Sequence, residues 1–502
     1  MEKLKYACNG KWLDSKTDKW MDVYDPSTGE VIAQAPCCTK EELQAVLDAA
    51  QAAYKTWSKT PVIARTQILY KFRDLVIKNM EELTKTVARE HGKVWAEAEG
   101  DLLKVKEPVE LACGVASLMQ GESLMETSSG YDSVLIREPI GVFGGIVPFN
   151  FPAMIPFGWM TPLCIATGNC IVLKSSSTTP MTSIRLLELL MEAGLPPGVV
   201  SVITTDRTVG DLMLTSPIIK GICFVGTTGV GLQVYSKAAA HGKRVQAQCE
   251  AKNHALVMND AHLERTAMGI INSAFGCAGE RCMALPTVAA QEGIHDKLVE
   301  RIVANAKALK IGCAYDKSSQ LGPVVNKKHM DNILKWIDIG VKEGARLVLD
   351  GRGVKVPGLE NGFFIGPTIF DNVTEDMSIG RDEIFGPVLA IKKVKTFDEG
   401  VALINNNPFA NGAVIYTSSG LYARNFSLQI DGGMVGINVG IPVPVGMFPF
   451  SGHKQSFFGD LHCLGKDGVR FFTESKVITS TWFDEDAATK KVDTWDGSVG
   501  GR

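Results

Sequence analysis

No two of the twelve cysteines form a Cys-x-x-Cys pair, and their spacings are irregular. In a chain of 502 residues that pattern reads as reduced thiols in a cytosol-like compartment, so a cytoplasmic protein without a disulfide framework is expected. No metal site is expected. Net charge is also lacking. The 52 basic and 55 acidic residues leave −3, which gives no electrostatic reason to expect a nucleic-acid partner. The opening Met-Glu-Lys-Leu-Lys has no basic-then-apolar leader, so secretion is not expected. Internal repeats and long linkers are absent. One stretch, 139–173, has no charge over 35 residues, long enough to suggest a membrane span. It also carries Pro139, Pro148, Pro152, Pro156 and Pro162, which would break a spanning helix repeatedly. The reading is a buried strand, a tight loop, a short apolar helix and a second buried strand, with no membrane partner.

What the chain does contain is ordinary for a large globular protein, with 45% hydrophobic and 21% charged residues. Its length predicts two or more domains. Residues 1–35 read as a β lead-in with a turn at Asp25-Pro-Ser-Thr-Gly29. Thr39-Lys-Glu-Glu42 is a capping box that opens a helix to about Trp57. Further helices are expected over 62–79, 80–91 and 94–119, the last bent at Pro108 beside Lys104. From Gly141 the pattern alternates. Strands are expected at 142–147, 170–174, 199–204, 221–225 and 244–248, mostly with helices between. This predicts a parallel, doubly wound sheet with ligands at the strands' carboxyl ends. Phe224-Val-Gly-Thr-Thr-Gly-Val-Gly231 ends one such strand and opens a helix, a place where phosphate can approach backbone N–H groups. A second α/β block is expected over 255–445, and 448–483 reads as strand-rich.

The arrangement centres on Cys277-Ala-Gly-Glu-Arg-Cys-Met283. Cys282 follows a helix expected over 261–275 and precedes an apolar run at 284–290. It is either an attacking sulfur or a buried inert thiol. A free thiol, with a pKa of about 8.5, is only a few per cent thiolate at neutral pH, so a nucleophilic Cys282 needs help from its surroundings.

Several separated motifs together resemble the aldehyde dehydrogenase superfamily. They are Val147-Pro-Phe-Asn-Phe-Pro152, Val172-Leu-Lys174, Phe224-Val-Gly-Thr-Thr228, Arg281-Cys282, Glu383-Ile-Phe-Gly-Pro387 and Lys476-Val-Ile-Thr-Ser480. Ala278-Gly-Glu-Arg-Cys-Met283, Ala251-Lys-Asn-His254, Asn438-Val-Gly-Ile-Pro-Val-Pro444 and Phe448-Pro-Phe-Ser-Gly452 resemble its methylmalonate-semialdehyde dehydrogenase group. The resemblance implies an α/β fold with two doubly wound domains and a small β bridging arm. In that layout residues 1–122 and 141–248 bind the dinucleotide and 249–447 carry the nucleophile. Residues 123–140 and 475–488 form an oligomerisation arm, 448–474 return to the cofactor domain, and 489–502 are a loosely ordered tail. A homodimer or homotetramer is implied.

The same resemblance implies roles. Cys282 forms a thiohemiacetal with the aldehyde, and Asn150 with the Cys282 backbone N–H holds the oxyanion. Val147, Pro148, Phe149, Gly226 and Thr227 line the cofactor cleft. Lys174 reaches the adenosine ribose, Glu383 the nicotinamide ribose, and Phe385 packs near the ring. Hydride transfer to NAD then leaves a thioacyl-enzyme.

Three departures from the resembled pattern matter. Gln248-Cys-Glu-Ala-Lys252 stands where hydrolytic members have Glu-Leu-Gly-Gly-Lys. Gln248 cannot take a proton from water, which suits acyl transfer to coenzyme A. Glu250, at a glycine position, would face the same side as Gln248 if the strand ran on, and would then replace the missing base. At the substrate end the implied anion binders are Arg281 and Lys104, the latter where the group has a second arginine. A lysine is a point charge rather than a planar fork. An anionic aldehyde follows, either a malonate or methylmalonate semialdehyde or, alternatively, a sulfonated aldehyde of the sulfolactaldehyde or sulfoacetaldehyde type. At the third departure Ser177 replaces a ribose-binding glutamate whose charge would repel a 2′-phosphate, so NADP use beside NAD is expected. An alternative of another class is a catalytically idle nucleotide-binding relative.

Overall fold

The computed structural model describes residues 2–128 and 130–482. The expected tail at 489–502, and the expected arm beyond 482, lie outside these. The β lead-in forms as read, with the N–H of Gly29 closing on the Asp25 carbonyl at 2.8 Å. The helix Lys40–Trp57 starts on a reciprocal capping box: the Glu42 N–H donates to Thr39 Oγ1 (3.3 Å) and the Thr39 N–H to Glu42 Oε2 (2.8 Å).

The helix expected over 94–119 is two pieces, Trp95–Cys113 and Val115–Leu118. The break falls at Gly114, which leaves helical geometry with ψ 8°, while the helix continues through Pro108. Proline withholds a donor from the Lys104 carbonyl, and that oxygen faces Gly158, where a Cβ would lie only 2.7 Å away. Gly158 belongs to a wide π-type turn, Ile155–Met160, that leads into the short apolar helix Thr161–Ala166. Among the described residues, no helix is long and apolar enough to cross a membrane.

The first large sheet has the strand order Val200–Ile203, Cys170–Lys174, Val142–Ile146, Ile219–Val225, Arg244–Gln248, Phe457–Gly459. The first five strands are mutually parallel and the last is antiparallel. Counted along the chain, the parallel strands lie in the order three, two, one, four, five. The order therefore reverses between Val142–Ile146 and Ile219–Val225, and a ligand crevice belongs at their carboxyl ends. Val147 to Asn150 leave one of these ends and Gly226-Thr227 the other. The second sheet is ordered Arg346–Leu349, Thr368–Asp371, Val388–Val394, Thr287–Gln291, His254–Val257, Gly412–Tyr416, Met434–Ile437. It is parallel except for its first strand. The run expected as a strand over 284–290 begins only at Thr287, because Cys282 to Ala284 are still held by side chains from other loops.

The segment 448–483 contains the expected strands, His453–Lys454, Phe457–Gly459 and Thr473–Thr481, but a helix not expected there, Gly465–Phe471, interrupts them. Left-handed Leu464 and Gly465 (φ 69° and 55°) turn the chain, and burial of Val469, Phe471 and Phe472 outweighs their β preference. The strand Thr473–Thr481 then pairs antiparallel with Tyr131–Pro139, which also pairs with Glu122–Ser128.

One buried ion pair braces the loop after the first parallel strand. Lys93 Nζ and Asp101 Oδ2 are 3.0 Å apart with both side chains fully buried. Asp101 Oδ1 accepts the Met154 N–H at 2.8 Å, and the Lys93 ammonium sits 3.5 Å from the centre of the Phe151 ring. Removing one partner strands a buried charge, which costs about 3–5 kcal/mol. Asp101→Ala is expected to lower the denaturant midpoint accordingly, and an unchanged unfolding curve would refute this role for the pair.

Candidate active site

The crevice at the strand reversal contains two cavities, and a third lies beyond them. The first, about 600 Å³, is lined by Lys174, Arg207, Gly210, Phe224 and Val230 among others. The second, about 290 Å³, brings together Phe149, Asn150, Thr227, Glu250, Cys282 and Glu383, with Pro148, Gly226 and Phe385 completing its wall. The third, about 460 Å³, is lined by Glu97, Lys104, Phe151, Arg281, Cys282 and Trp159 among others. Cys282 is the residue shared by the second and third. Its sulfur therefore stands where a chain of two cavities from the parallel sheet meets a pocket carrying two cations.

Local backbone geometry produces that placement. After the helix Leu263–Phe275, Cys277, Ala278 and Gly279 all take left-handed φ values of 50°, 51° and 76°. A side chain at position 279 would put its Cβ 2.1 Å from the Gly386 carbonyl oxygen, so only glycine fits there. The turn carries Glu280 inward and Cys282 to the cavity junction. Phe385, also left-handed at φ 60°, is fixed by a 2.7 Å hydrogen bond between its carbonyl and His329 Nε2, and its ring meets Phe149 edge-on at 5.9 Å.

Side chains that the sequence reading passed over position Cys282. Asn253 Nδ2 donates to the Cys282 and Ala284 carbonyls, both at 2.8 Å, and its Oδ1 accepts the Gly412 N–H at 2.9 Å. Asn411 Nδ2 reaches the Cys282 carbonyl at 3.3 Å. Both asparagines immediately precede neighbouring buried strands, His254–Val257 and Gly412–Tyr416, and a buried amide at such a place was the available signal. Glu280 is fully buried. Its carbonyl accepts from Asn150 Nδ2 at 3.2 Å, and its Oε1 accepts the Val325 N–H at 3.1 Å. Asn150 thus spends one amide N–H on the loop that carries Cys282 and keeps the other.

The expected cofactor residues divide among these cavities. Lys174 faces the first. Val147 is buried behind the crevice, its N–H donating to the Lys174 carbonyl at 3.0 Å. Ser177 lies half-buried in the turn after Lys174. Glu383 lines the second cavity, and its Oε1 accepts the Ala251 N–H at 3.2 Å. Gln248 does not line the cavity. The strand stops at Gln248, and the next N–H, from Cys249, is taken by the Ser456 carbonyl at 2.8 Å. The alternation that would align Glu250 with Gln248 therefore does not operate. Glu250 instead sends its carboxylate to the N–H of Thr228 at 2.8 Å, at the start of the helix Thr228–Ala239. A carboxylate resting on that N–H is itself a sign that the place suits an anion. With the glycine turn, Lys174 and the order reversal, it fits a dinucleotide.

The sequence profile of the aldehyde dehydrogenase family matches residues 12–478. The chain belongs to that family. Membership makes it an NAD(P)-dependent aldehyde oxidoreductase. It is 50% identical over 482 residues to malonate-semialdehyde dehydrogenase 2 of Geobacillus kaustophilus, covering 96% of this chain and 99% of the relative. It is likewise 50% identical over 483 residues to malonate-semialdehyde dehydrogenase 1 of Geobacillus thermodenitrificans, with the same coverage. Among solved structures, a candidate methylmalonate-semialdehyde dehydrogenase of Sinorhizobium meliloti complexed with NAD superposes with a TM-score of 0.95 at 40% identity, covering 96% of this chain and 99% of that one. The methylmalonate-semialdehyde dehydrogenase of Oceanimonas doudoroffii also gives 0.95, at 39% identity, covering 97% and 100%.

In this aldehyde dehydrogenase the groups around Cys282 favour its protonated form. Burial, and then the nearby Glu383 charge, push the Cys282 thiol up to about 12. Burial, and then Glu250, push the Glu383 carboxyl up to about 8. Below a pKa of about 12 the thiolate fraction falls roughly ten-fold for each pH unit, so the resting sulfur is protonated near neutrality. Alkylation of Cys282 by iodoacetamide, followed on its own peptide by mass spectrometry without cofactor, is expected to be slow at neutral pH and to rise throughout the alkaline range. A plateau reached below pH 8 would refute this.

Proposed function

We propose that this enzyme oxidises a small anionic semialdehyde, of the malonate or methylmalonate type, and passes the acyl group to coenzyme A. The observation that carries the reading is the third cavity, which places Arg281 and Lys104 in one pocket with Cys282. The relatives named for malonate semialdehyde support the same substrate class.

Arg281 is held from three sides. Its Nε donates to Cys277 Sγ at 3.1 Å, Nη1 to the Asn272 carbonyl at 3.3 Å and Nη2 to Glu97 Oε1 at 3.0 Å. A guanidinium has five N–H groups, so two stay available to a substrate anion. Lys104 Nζ pairs with Glu107 Oε2 at 2.7 Å and keeps its other donors. A carboxylate gripped between them places its aldehyde carbon toward Cys282. Once deprotonated, the sulfur adds to that carbon, and the uncommitted N–H of Asn150 stabilises the developing oxyanion together with the Cys282 backbone N–H. Such a donor contributes about 3–4 kcal/mol. A bound nicotinamide dinucleotide supplies the hydride acceptor. Glu383 and Phe385 would hold its nicotinamide end, and Lys174 its adenosine end. Ser177 places no carboxylate beside the ribose, so NADP is accepted as well as NAD.

Release of the acyl group decides the product. Gln248 is neutral, buried and not among the residues that line the second cavity, so it supplies no base to activate water. A thiol acceptor, with a pKa of about 8.5, needs far less activation than water at about 15.7. For assembly, the sheet containing Thr473–Thr481 exposes Val477, Ile478, Leu124 and Met125, and we propose that a second copy covers it in a homodimer or homotetramer.

The test is product analysis with carboxylated, sulfonated and neutral aldehydes, with and without coenzyme A. Acyl-CoA is expected from carboxylated semialdehydes, with slow acid formation when coenzyme A is left out. Arg281→Ala is expected to raise KM for the anionic aldehydes by about ten-fold or more while leaving neutral ones little changed. Preference for neutral aldehydes, or hydrolysis as fast without coenzyme A as transfer with it, would overturn the corresponding part. Monomers by light scattering would overturn the assembly.

A further inference from the structure

Glu250 occupies a place where the resembled family has glycine, and the first two departures described above do not account for what its side chain does. The helix Thr228–Ala239 opens at the strand reversal, and its own N-cap, Thr227, makes no side-chain capping bond. The cap comes instead from Glu250, 22 residues away, whose Oε2 accepts the Thr228 N–H at 2.8 Å. The Glu250 backbone is clamped. Its N–H donates to Thr228 Oγ1 at 3.3 Å, and its carbonyl accepts from Ser456 Oγ at 2.6 Å. Thr228 Oγ1 in turn donates to the Gln455 carbonyl at 3.1 Å. Only the Glu250 side-chain torsions are free to change. Glu250 also lines the second cavity together with Gly226, Thr227, Glu383 and Phe385, all of them assigned above to the cofactor.

A dinucleotide bound across the reversal brings its pyrophosphate to this helix N-terminus, because the unpaired N–H groups and the helix dipole favour negative charge there. The Glu250 carboxylate is already on that N–H, and two anions cannot share one donor in a partly desolvated cleft. We propose that Glu250 is an internal competitor of the cofactor's diphosphate. It caps the helix in the empty enzyme, must swing off Thr228 before NAD or NADP seats, and thereby sets cofactor affinity. This rests on the dinucleotide reading of the crevice. It also means that Glu250 acts on the cofactor's phosphates and not as a base toward water.

The test measures binding at equilibrium, without turnover, using the full-length wild type, Glu250→Gly and Glu250→Gln. The ligands are NAD, ADP and adenosine at constant ionic strength. Removing a charge-assisted acceptor from the phosphate position is expected to tighten NAD and ADP by about ten-fold in Glu250→Gly. Adenosine, which has no phosphate, is expected to bind all forms alike. Glu250→Gln keeps an acceptor oxygen but no charge, so its gain is expected to lie between wild type and Glu250→Gly. Thermal melting confirms that the variants are folded, and Glu250→Gln carries the test if Glu250→Gly is not. Wild type that binds NAD while neither folded variant binds it more tightly overturns the competitor role and leaves the dehydrogenase reading intact. A gain of equal size for adenosine also overturns it, because the effect would not follow the phosphate. Wild type that binds neither NAD nor ADP overturns the dinucleotide reading itself.

Discussion

The active site depends on a close contact between two backbones. At Gly279 the chain passes so near the Gly386 carbonyl that a Cβ would lie 2.1 Å from it, and the left-handed run Cys277–Ala278–Gly279 is what permits that approach. Cys277 and Ala278 hold this conformation at a cost of roughly 1–2 kcal/mol each. The helix before them, Asn253 and Asn411 at the Cys282 carbonyl, and Glu280 bonded to the Val325 N–H over-determine the turn. One contact therefore couples three features. It aims Cys282 at the junction of two cavities, brings Glu280 under the Asn150 amide, and places Phe385 against Phe149. Strain of this kind persists where surrounding structure enforces it, and it gathers at functional sites.

The second constraint is the burial of ionisable groups around that turn. Glu280 is fully buried with His91 Nε2 3.8 Å and His329 Nε2 3.4 Å from its carboxylate oxygens. Burial raises Glu280 well above the usual carboxylate range and lowers His91 well below the usual imidazole range. Both therefore favour their neutral forms, which avoids burying an uncompensated charge. The Lys93–Asp101 pair shows the opposite solution, a full charge matched at hydrogen-bond distance. Cys282 sits among these groups and keeps its proton. A sulfur that is protonated until a ligand rearranges the cavity is protected from indiscriminate alkylation and oxidation, since the thiolate is the reactive form.

Much of this was legible in the sequence where causes are local or where separated motifs resemble a family. Thr39 and Glu42 form their capping box, and the strands Cys170–Lys174 and Arg244–Gln248 have the bounds expected from the sequence. Residues of motifs far apart in sequence, Asn150, Thr227, Cys282 and Glu383, line the second cavity. What was not legible depends on partners far along the chain. Glu90 caps the helix Met181–Glu192 from 91 residues away, accepting the Met181 N–H at 2.7 Å. No local pattern marks such a cap. Strand alternation could not reach Glu250, because the strand ends at Gln248. The helix Gly465–Phe471 was hidden by aromatic and β-branched residues whose burial, not propensity, settles their conformation.

The resting site also keeps its own anions in hand. Thr228 has Glu250, Arg281 has Glu97 and Lys104 has Glu107, and each pair has at least one member lining the second or third cavity. An unpaired guanidinium or ammonium in a partly desolvated pocket is costly, and each resident carboxylate relieves that cost in the empty enzyme. A ligand anion must therefore offer more than charge. It must match donors left free, as the two remaining N–H groups of Arg281 are, or displace a carboxylate whose tether permits it to leave. Glu107 is further restrained because its Oε1 accepts the Gly446 N–H at 2.7 Å, so Lys104 is the less exchangeable cation. Geometry of the free donors, more than the number of positive charges, then discriminates among aldehydes of equal charge.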